Sequence, residues 1–463
     1  MYEHKEKIRP DTAMSEAEKE NNVDSIIDYS ISYSNAYCNK QKCPTYMSFA
    51  DVTAEQKKPL DYKIEKAVEA IAAGFKVCNH TAAIAFSGGK DSTVLWHLIR
   101  TYFPDKTVEI IYGNTGVEFP ESLKFARKLG EEWGNGHFHE TKPERLEEDG
   151  LKYQAQKEVL EWLRKEGRLS EVLKADGKLK STKTLENKAT PEMWEDFRKR
   201  GLVWKKGLPK SYWWCADQYG FPILGKAASK LDARRINIDC FLEFSESATN
   251  KDELLKYYDV LRECKFSQHC CKQLKKQPSE KLQAELDVDV IFKGLMAAES
   301  KTRLTNFSTR GYLFKSHRPH LGDEPFYHCN PISIWTDDDI WEYIHKYNVP
   351  YSSLYDIEYE NSRHEKCKIK RNGCIGCATD ILYKDNHLSV LRRTHPSLYN
   401  ALMKNGMANE IKKLYETRTN GIPSIIDIYS DAEELLDVRP CAFDDIGEKL
   451  DKSGIDDEYD PED

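Results

Sequence analysis

Between Ala82 and Tyr102 the chain passes from a continuous apolar run into a paired-glycine turn and then into a helical pattern. No other feature limits the fold as much. Ala82-Ala83-Ile84-Ala85-Phe86 carries no polar residue at either parity, as a strand covered on both faces requires. Ser87-Gly88-Gly89-Lys90-Asp91-Ser92 follows, and from Thr93 the apolar residues Val94, Leu95, Leu98 and Ile99 recur at helical spacing. A second strand is expected at Val108-Glu109-Ile110-Ile111-Tyr112, ending at Asn114-Thr115-Gly116. Strand, turn, helix and strand in that order form a βαβ unit. Strands joined in this way are parallel, and a parallel sheet needs helices on both faces, so the expected class is α/β.

The turn lies where an anion site is expected, between a buried strand and a helix N-terminus. Two glycines allow a tight turn and close approach of the backbone to a ligand, and the amides that follow point outward along the helix dipole. Ser87, Ser92 and Thr93 add hydroxyls, and Lys90 adds charge. Lys90 is followed by Asp91 where a Walker A loop needs Ser or Thr, so the motif is a different phosphate loop. A Gly-Gly pair before a helix also occurs as a plain turn.

The rest of the chain divides coarsely. The expected units are an accessory segment (1–60), an α/β domain (61–345) with a Lys- and Glu-rich helical insertion at 141–210, a region carrying Cys-x-x-Cys (346–440), and an acidic tail (441–463). Within these, 61–75 and 153–165 read as helices and Val288–Leu295 as a further buried strand. Thr336 is expected to cap a helix whose first turn holds Asp337, Asp338 and Asp339. The net charge of −8 argues against coating nucleic acid by bulk charge, although a local basic groove is compatible with it. No stretch approaches the roughly 20 apolar residues of a membrane span. The opening residues lack the apolar core of a secretory signal, so the expected compartment is the cytoplasm.

Thirteen cysteines in such a chain read as reduced thiols, some holding metal, rather than as a disulfide framework. Cys374-Ile375-Gly376-Cys377 is a metal-binding or redox spacing, with Cys367 seven residues before it and basic residues around it. Cys270-Cys271 is a second pair. A zinc knuckle, a redox dithiol and an unligated pair all remain open on spacing alone. Residues 301–320 hold Lys301, Arg303, Arg310, Lys315 and Arg318 without one acid, which reads as a phosphate clamp, a nucleic-acid surface or a solvated basic loop. Tyr212-Trp213-Trp214-Cys215 reads as core, and His328 and His395 as structural.

Several segments together resemble one family. Ser87–Ser92 after its strand resembles the pyrophosphate (PP) loop of the ATP-pyrophosphatase superfamily, the adenine nucleotide α-hydrolase fold. Four more segments are similar, in order, to the phosphoadenylyl- and adenylyl-sulfate (PAPS and APS) reductase branch. These are Asn114–Glu121, Cys270–Pro278, Gly294–Arg303 and Asn330–Ile344. Asn114 stands where the family has Asp, and Ser122 where it has Thr.

The resemblance implies a site. ATP or adenylyl sulfate, with Mg2+ near Asp91, would be held by Ser87, Gly88, Gly89, Lys90, Asp91, Ser92 and Thr93, with Lys90 and Asp91 as catalytic residues. Gly116, Glu121, Glu299 and Arg303 would complete the pocket. It also implies a [4Fe–4S] cluster on thiolates from Cys270, Cys271, Cys374 and Cys377, with Cys367 as a fifth candidate and Zn2+ as the lesser alternative. The family's C-terminal Glu-Cys-Gly-Leu-His-like nucleophile is missing, for Cys441 lies in Arg-Pro-Cys-Ala-Phe. The implied function is therefore sulfur transfer, as in the related sulfurtransferases of DNA phosphorothioation. Sulfonucleotide reduction and a non-catalytic nucleotide-binding regulatory or defence role are the alternatives. Implied partners are a cysteine desulfurase or thioredoxin-like donor and an acceptor that is a small molecule, tRNA or DNA.

Overall fold

The computed structural model describes residues 16–38, 43–144, 151–174, 177, 179–200, 210–223, 266–381 and 385–412. The acidic tail and Cys441 lie outside the described residues, as do 1–15 of the N-terminal segment and 201–209 of the insertion.

Three helices come first: α1 (Glu16–Cys38), α2 (Phe49–Glu55) and α3 (Leu60–Lys76). The alternation then runs β1 (Thr81–Phe86), α4 (Lys90–Tyr102), β2 (Glu109–Gly113), α5 (Pro120–Trp133) and β3 (Phe138–Thr141). Helices α6 (Leu151–Lys165), α7 (Thr182–Glu186), α8 (Pro191–Lys199) and α9 (Tyr212–Tyr219) follow. Beyond the helical turns of 269–276 come α10 (Gln277–Glu285), β4 (Val288–Lys293), α11 (Lys301–Arg310), β5 (Leu313–Ser316), β6 (Phe326–Cys329) and α12 (Asp337–Tyr347). A two-stranded ribbon, β7 (Glu358–Glu360) with β8 (Lys366–Lys368), leads to α13 (His387–Thr394) and α14 (Pro396–Leu402).

The main sheet has the order β3-β2-β1-β4-β6-β5, and β1 pairs with β2 in parallel through Ile84↔Ile110, as the βαβ reading requires. Every neighbouring pair is parallel except β5–β6. That edge pair departs from the all-parallel expectation. The connection between its strands holds no crossover helix long enough to carry the chain back, so the second strand returns antiparallel. One face of the sheet (Ile84, Phe86, Ile110, Val290, Phe292) packs on Ile64 and Ile71 of α3, Leu95 and Leu98 of α4, Ala126 of α5 and Tyr343 of α12. The other face (Ala83, Ile111, Ile291) packs on Leu321, Phe326 and, from α10, Leu282. Helices cover both faces, and the fold is α/β.

Asp289 interrupts the apolar run of β4 yet is buried. Its carboxylate accepts from the Asn79 amide at 2.6 Å, the His80 amide at 3.1 Å and the Cys78 thiol at 3.1 Å, tying the α3–β1 connection to the sheet. At the start of α12, Thr336 Oγ1 caps the Asp339 amide while the Asp339 carboxylate accepts from the Thr336 amide at 2.6 Å and from Lys63 of α3 at 2.6 Å. In the insertion, Ala155, Val159, Leu163, Val172, Leu185 and Phe197 form an apolar cluster of their own.

The chain builds outward from β1 to β2 and β3 on one side, and adds β4, β6 and β5 on the other. The strand order therefore reverses between β1 and β4. Ligands of open α/β sheets bind at the carboxyl ends of the strands beside such a reversal.

Candidate active site

Ser87, Gly88 and Gly89 leave β1 at that reversal. Gly88 takes φ +69°. A side chain there would be strained, and a Cβ would lie 3.3 Å from both Ala126 Cβ and the Ser122 carbonyl of α5. Gly89 occupies the N-cap of α4 and offers no side-chain cap, which leaves the helix terminus for an anion. The loop is held from within. The Ser87 and Ser92 hydroxyls are 3.0 Å apart, and the Ser92 and Thr93 hydroxyls each donate to the Gly89 carbonyl at 3.0 Å.

Gly294, just past β4, closes on this terminus. A Cβ at Gly294 would stand 2.9 Å from the Asp91 carbonyl carbon and 3.0 Å from the Ser92 amide nitrogen. Glycine is required here by backbone approach, not by its dihedral angles.

Lys90 is buried and already paired. Its ammonium lies 2.8 Å from Asp91 and 2.6 Å from Asp337 of α12, and its amide donates to the Tyr355 hydroxyl at 3.2 Å. Two cationic groups stand nearby. Arg303 pairs with Glu299, and the Arg371 guanidinium donates to the Glu299 carbonyl at 3.3 Å. Burial and then Arg371 push the Arg303 guanidinium below its ordinary range, against the pull of Asp91. Two like charges held together beside a helix N-terminus favour an anion between them.

The loop after β2 is an Asx turn. Asn114 Oδ1 accepts from the Gly116 amide at 2.8 Å, and its Nδ2 donates to Glu140 at 2.7 Å. The side-chain oxygen at 114 thus shapes the turn while its nitrogen ties it to β3, with Gly116 at φ +78°. Thr115 Oγ1 bonds Glu118 at 2.8 Å and lies 3.4 Å from Cys374 Sγ, while the Ile375 amide donates to the Val117 carbonyl at 2.8 Å. Burial raises the Glu118 carboxyl, with Lys275 opposing the shift. Glu121, placed in the pocket by resemblance, is partnered by His395 at 3.5 Å, which holds its carboxyl below the usual range. Phe119 lies between the rings of His387 and His395, at 5.7 and 5.0 Å.

The segment 371–377 joins these parts. Asn372 Nδ2 donates to the Ser87 carbonyl at 3.0 Å, Arg371 reaches Glu299, and Cys374 forms a bridge with Glu118. One short stretch therefore touches the loops after β1, β2 and β4.

Tyr212 is a fully buried phenol whose ionisation is opposed by burial and then by the thiols of Cys270, Cys377, Cys374 and Cys215 near it. Its hydroxyl donates to the Gly376 carbonyl at 2.7 Å. The Cys270 and Cys271 thiols share a hydrogen bond. It raises Cys270 and, aided by Lys275 and Lys276 against burial, pulls Cys271 down to about 6. Burial raises Cys374 and Cys377. Cys367 stands elsewhere, opposite Tyr359 on β8, where its sulfur accepts from Asn361 at 3.4 Å. Cys215, read as core, is fully buried in the apolar cluster with Phe221, Phe266 and Leu274.

Among the described residues no three His, Cys, Asp or Glu side chains stand in metal-ligating positions. The donor set is nevertheless chemically suited to an iron–sulfur cluster. It offers four sulfurs and two nearby lysines, and Cys270 and Cys271 would have to release each other to ligate. Asn372 and Tyr355 are parts of the site that no sequence motif marks, whereas Thr115, Glu118 and Asp337 lie in matched segments without an assigned role and Tyr212 lies in a stretch that reads as core. Arg371 carried only the weak signal of a basic stretch near Cys374.

The profile of the phosphoadenosine phosphosulfate reductase domain matches residues 81–191 and 202–379, more than half of the chain. The protein belongs to that family. An adenosine 5′-phosphosulfate reductase of Bacillus cytotoxicus is 32% identical over 101 residues, covering 22% of this chain and 38% of the relative. One from Staphylococcus haemolyticus is 33% identical over 89 residues, 19% of this chain and 28% of its own. The matched stretch thus spans well under half of either relative. A phosphate complex of the phosphoadenylyl-sulfate reductase of Candida auris aligns with 68% of this chain and 96% of its own at 13% identity, with a TM-score of 0.30. Among the described residues no helix is long and apolar enough to cross a membrane.

Proposed function

We propose that this family member binds ATP or adenylyl sulfate at Ser87–Thr93 and carries out sulfur transfer at the adjoining cysteines. The observation that carries the reading is the contact of Asn372 with the Ser87 carbonyl, two residues from Cys374. It supports the reading because it ties the Ser87 turn to a residue two positions before Cys374. The α4 N-terminus, Arg303 and Arg371 bind the anionic portion, and Gly294 lets the loops close on it. Mg2+ would ride on phosphate oxygens with Asp91 as the nearest carboxylate, since Asn114 is committed to its turn. Cys270, Cys271, Cys374 and Cys377 would hold a [4Fe–4S] cluster, which supplies electrons or sulfur when bound. Lys275 and Lys276 lower the cost of negative charge there.

Sulfonucleotide reduction is the second reading, favoured by the relatives' names. Labelled ATP and labelled adenylyl sulfate separate the two. Pyrophosphate release dependent on an acceptor supports transfer, and sulfite release from adenylyl sulfate with a thiol reductant supports reduction. Neither product from either nucleotide, with intact binding, overturns both readings in favour of a binding protein.

A further inference from the structure

Away from the cysteines, a polar row crosses the α10 face of the sheet. Lys293 ends β4, and its Nζ lies 2.8 Å from His328 Nδ1 on β6; His328 Nε2 lies 2.9 Å from Ser316 Oγ on β5. The buried imidazole stacks on Phe314 at 4.8 Å and meets Phe326 edge-on at 5.0 Å. Arg310 covers Phe314 and Arg318 covers Phe326, with guanidinium carbons 5.0 and 5.1 Å from the ring centres. Neither the phosphate loop nor the cysteine set uses these groups.

The charges do not balance. After burial, the groups that hold His328 down, to about 2, are Lys293, Arg318 and Arg310. Burial, then Arg318 and Lys276, bring Lys293 down to about 8. Glu280 is the carboxylate that acts on Lys293, and it is already engaged by Arg318 at 2.9 Å. Three cationic side chains thus act on a buried neutral ring, and among the described residues the carboxylate acting on Lys293 is Glu280, already held by Arg318. Such an arrangement is unfavourable unless a further anion supplies the missing charge.

Proton positions along the row suit that anion. An ammonium donates only, so Nδ1 of His328 accepts and Nε2 carries the ring proton. Nε2–H then donates to Ser316 Oγ, whose own hydroxyl proton is left to point outward. We propose that this row is a second oxyanion site, in which Ser316, Arg310, Arg318 and Lys293 take a phosphate or sulfate group on the α10 face. The inference is independent of the function proposed for the loop and the cysteines.

Isothermal titration of the full chain with inorganic phosphate tests it. Lys293→Met and Arg318→Gln should each weaken one phosphate site at least about tenfold, about the effect of losing one charge-assisted contact. Ser316→Ala should weaken it less. The paired loop variant Ser87→Ala, Lys90→Ala should leave this site intact. Sulfate, which does not titrate in this range, should bind more weakly as pH rises through about 8, where Lys293 loses its proton, and Lys293→Met should abolish that dependence. Should Lys293→Met fail to fold, Arg318→Gln and Ser316→Ala are read by the rise in melting temperature that sulfate gives the unaltered chain. Loss of adenosine 3′,5′-bisphosphate binding in Arg318→Gln, with adenosine monophosphate unaffected, shows that the group arrives on a nucleotide. Loss confined to the inorganic ions shows a free oxyanion. Full phosphate and sulfate binding in all three variants, or its complete loss in the loop variant alone, would overturn the site.

Discussion

The phosphate loop and the cysteine site are neighbours made in opposite ways. The loop is seven consecutive residues, Ser87–Thr93, whose hydroxyls bond within the segment, Ser92 and Thr93 both to the Gly89 carbonyl. The cysteine site draws on 115–118, 212–215, 270–275 and 371–377, which only the completed sheet brings together. A local device of this kind tolerates change elsewhere, whereas an assembled one depends on each contributor. Removing parts of each should therefore give different patterns of loss.

The largest expected effect is on the assembled side. Cys374→Ser or Cys377→Ser should reduce anaerobically bound iron from about four per chain to background, measured by iron and sulfide analysis. ATP affinity should stay within about threefold of the unaltered protein, well under 1.4 kcal/mol. A parallel collapse of nucleotide binding would mean that the loop is not self-sufficient. Gly294→Val attacks the other side. Its Cβ would meet the α4 backbone at about 3 Å, so nucleotide affinity should fall on the order of a hundredfold and stability by ~1–3 kcal/mol, with iron content retained.

Tyr212→Phe is a finer probe. It leaves the Gly376 carbonyl without its donor in a buried place, at a cost of ~1–3 kcal/mol, and should accelerate cluster loss in air without altering ATP affinity. The smallest effect concerns the scaffold that both sites share. His97, bonded to the Tyr343 hydroxyl at 2.9 Å, is held down to about 4 by burial and then by Arg100. The unfolded chain takes up a proton near pH 6.5 that the folded chain refuses until about 4, so stability should decline as pH falls through that window. His97→Gln should flatten that decline in urea titrations. An unchanged slope would remove His97 from the balance.

The same contrast decides how much was legible in the sequence. The loop, its flanking strands and the Thr336 cap are contiguous patterns, and the structure places them where periodicity puts them. The two cysteine pairs could be noticed but not joined by spacing, because their meeting depends on Tyr212 and on the sheet order. Cys367 shows the limit. It is near Cys374 in sequence, yet the β7–β8 ribbon carries it to Tyr359. Lys90, the obvious phosphate ligand on residue type, is neutralised by Asp91 and by Asp337, a residue from a helix far along the chain. The antiparallel β5 edge was equally hidden, because four mixed residues carry no signal of strand direction.

On the function proposed, the segment 371–377 makes one site of the two regions. Hydrogen-exchange mass spectrometry of the full chain with and without saturating ATP or adenylyl sulfate tests it most directly, whatever metal is bound. Slowed exchange is expected both at 87–93 and at 371–377, with the same dependence on nucleotide concentration, and loss of the second protection in Asn372→Ala. Protection confined to 87–93, with 371–377 exchanging as in the free protein, would contradict it.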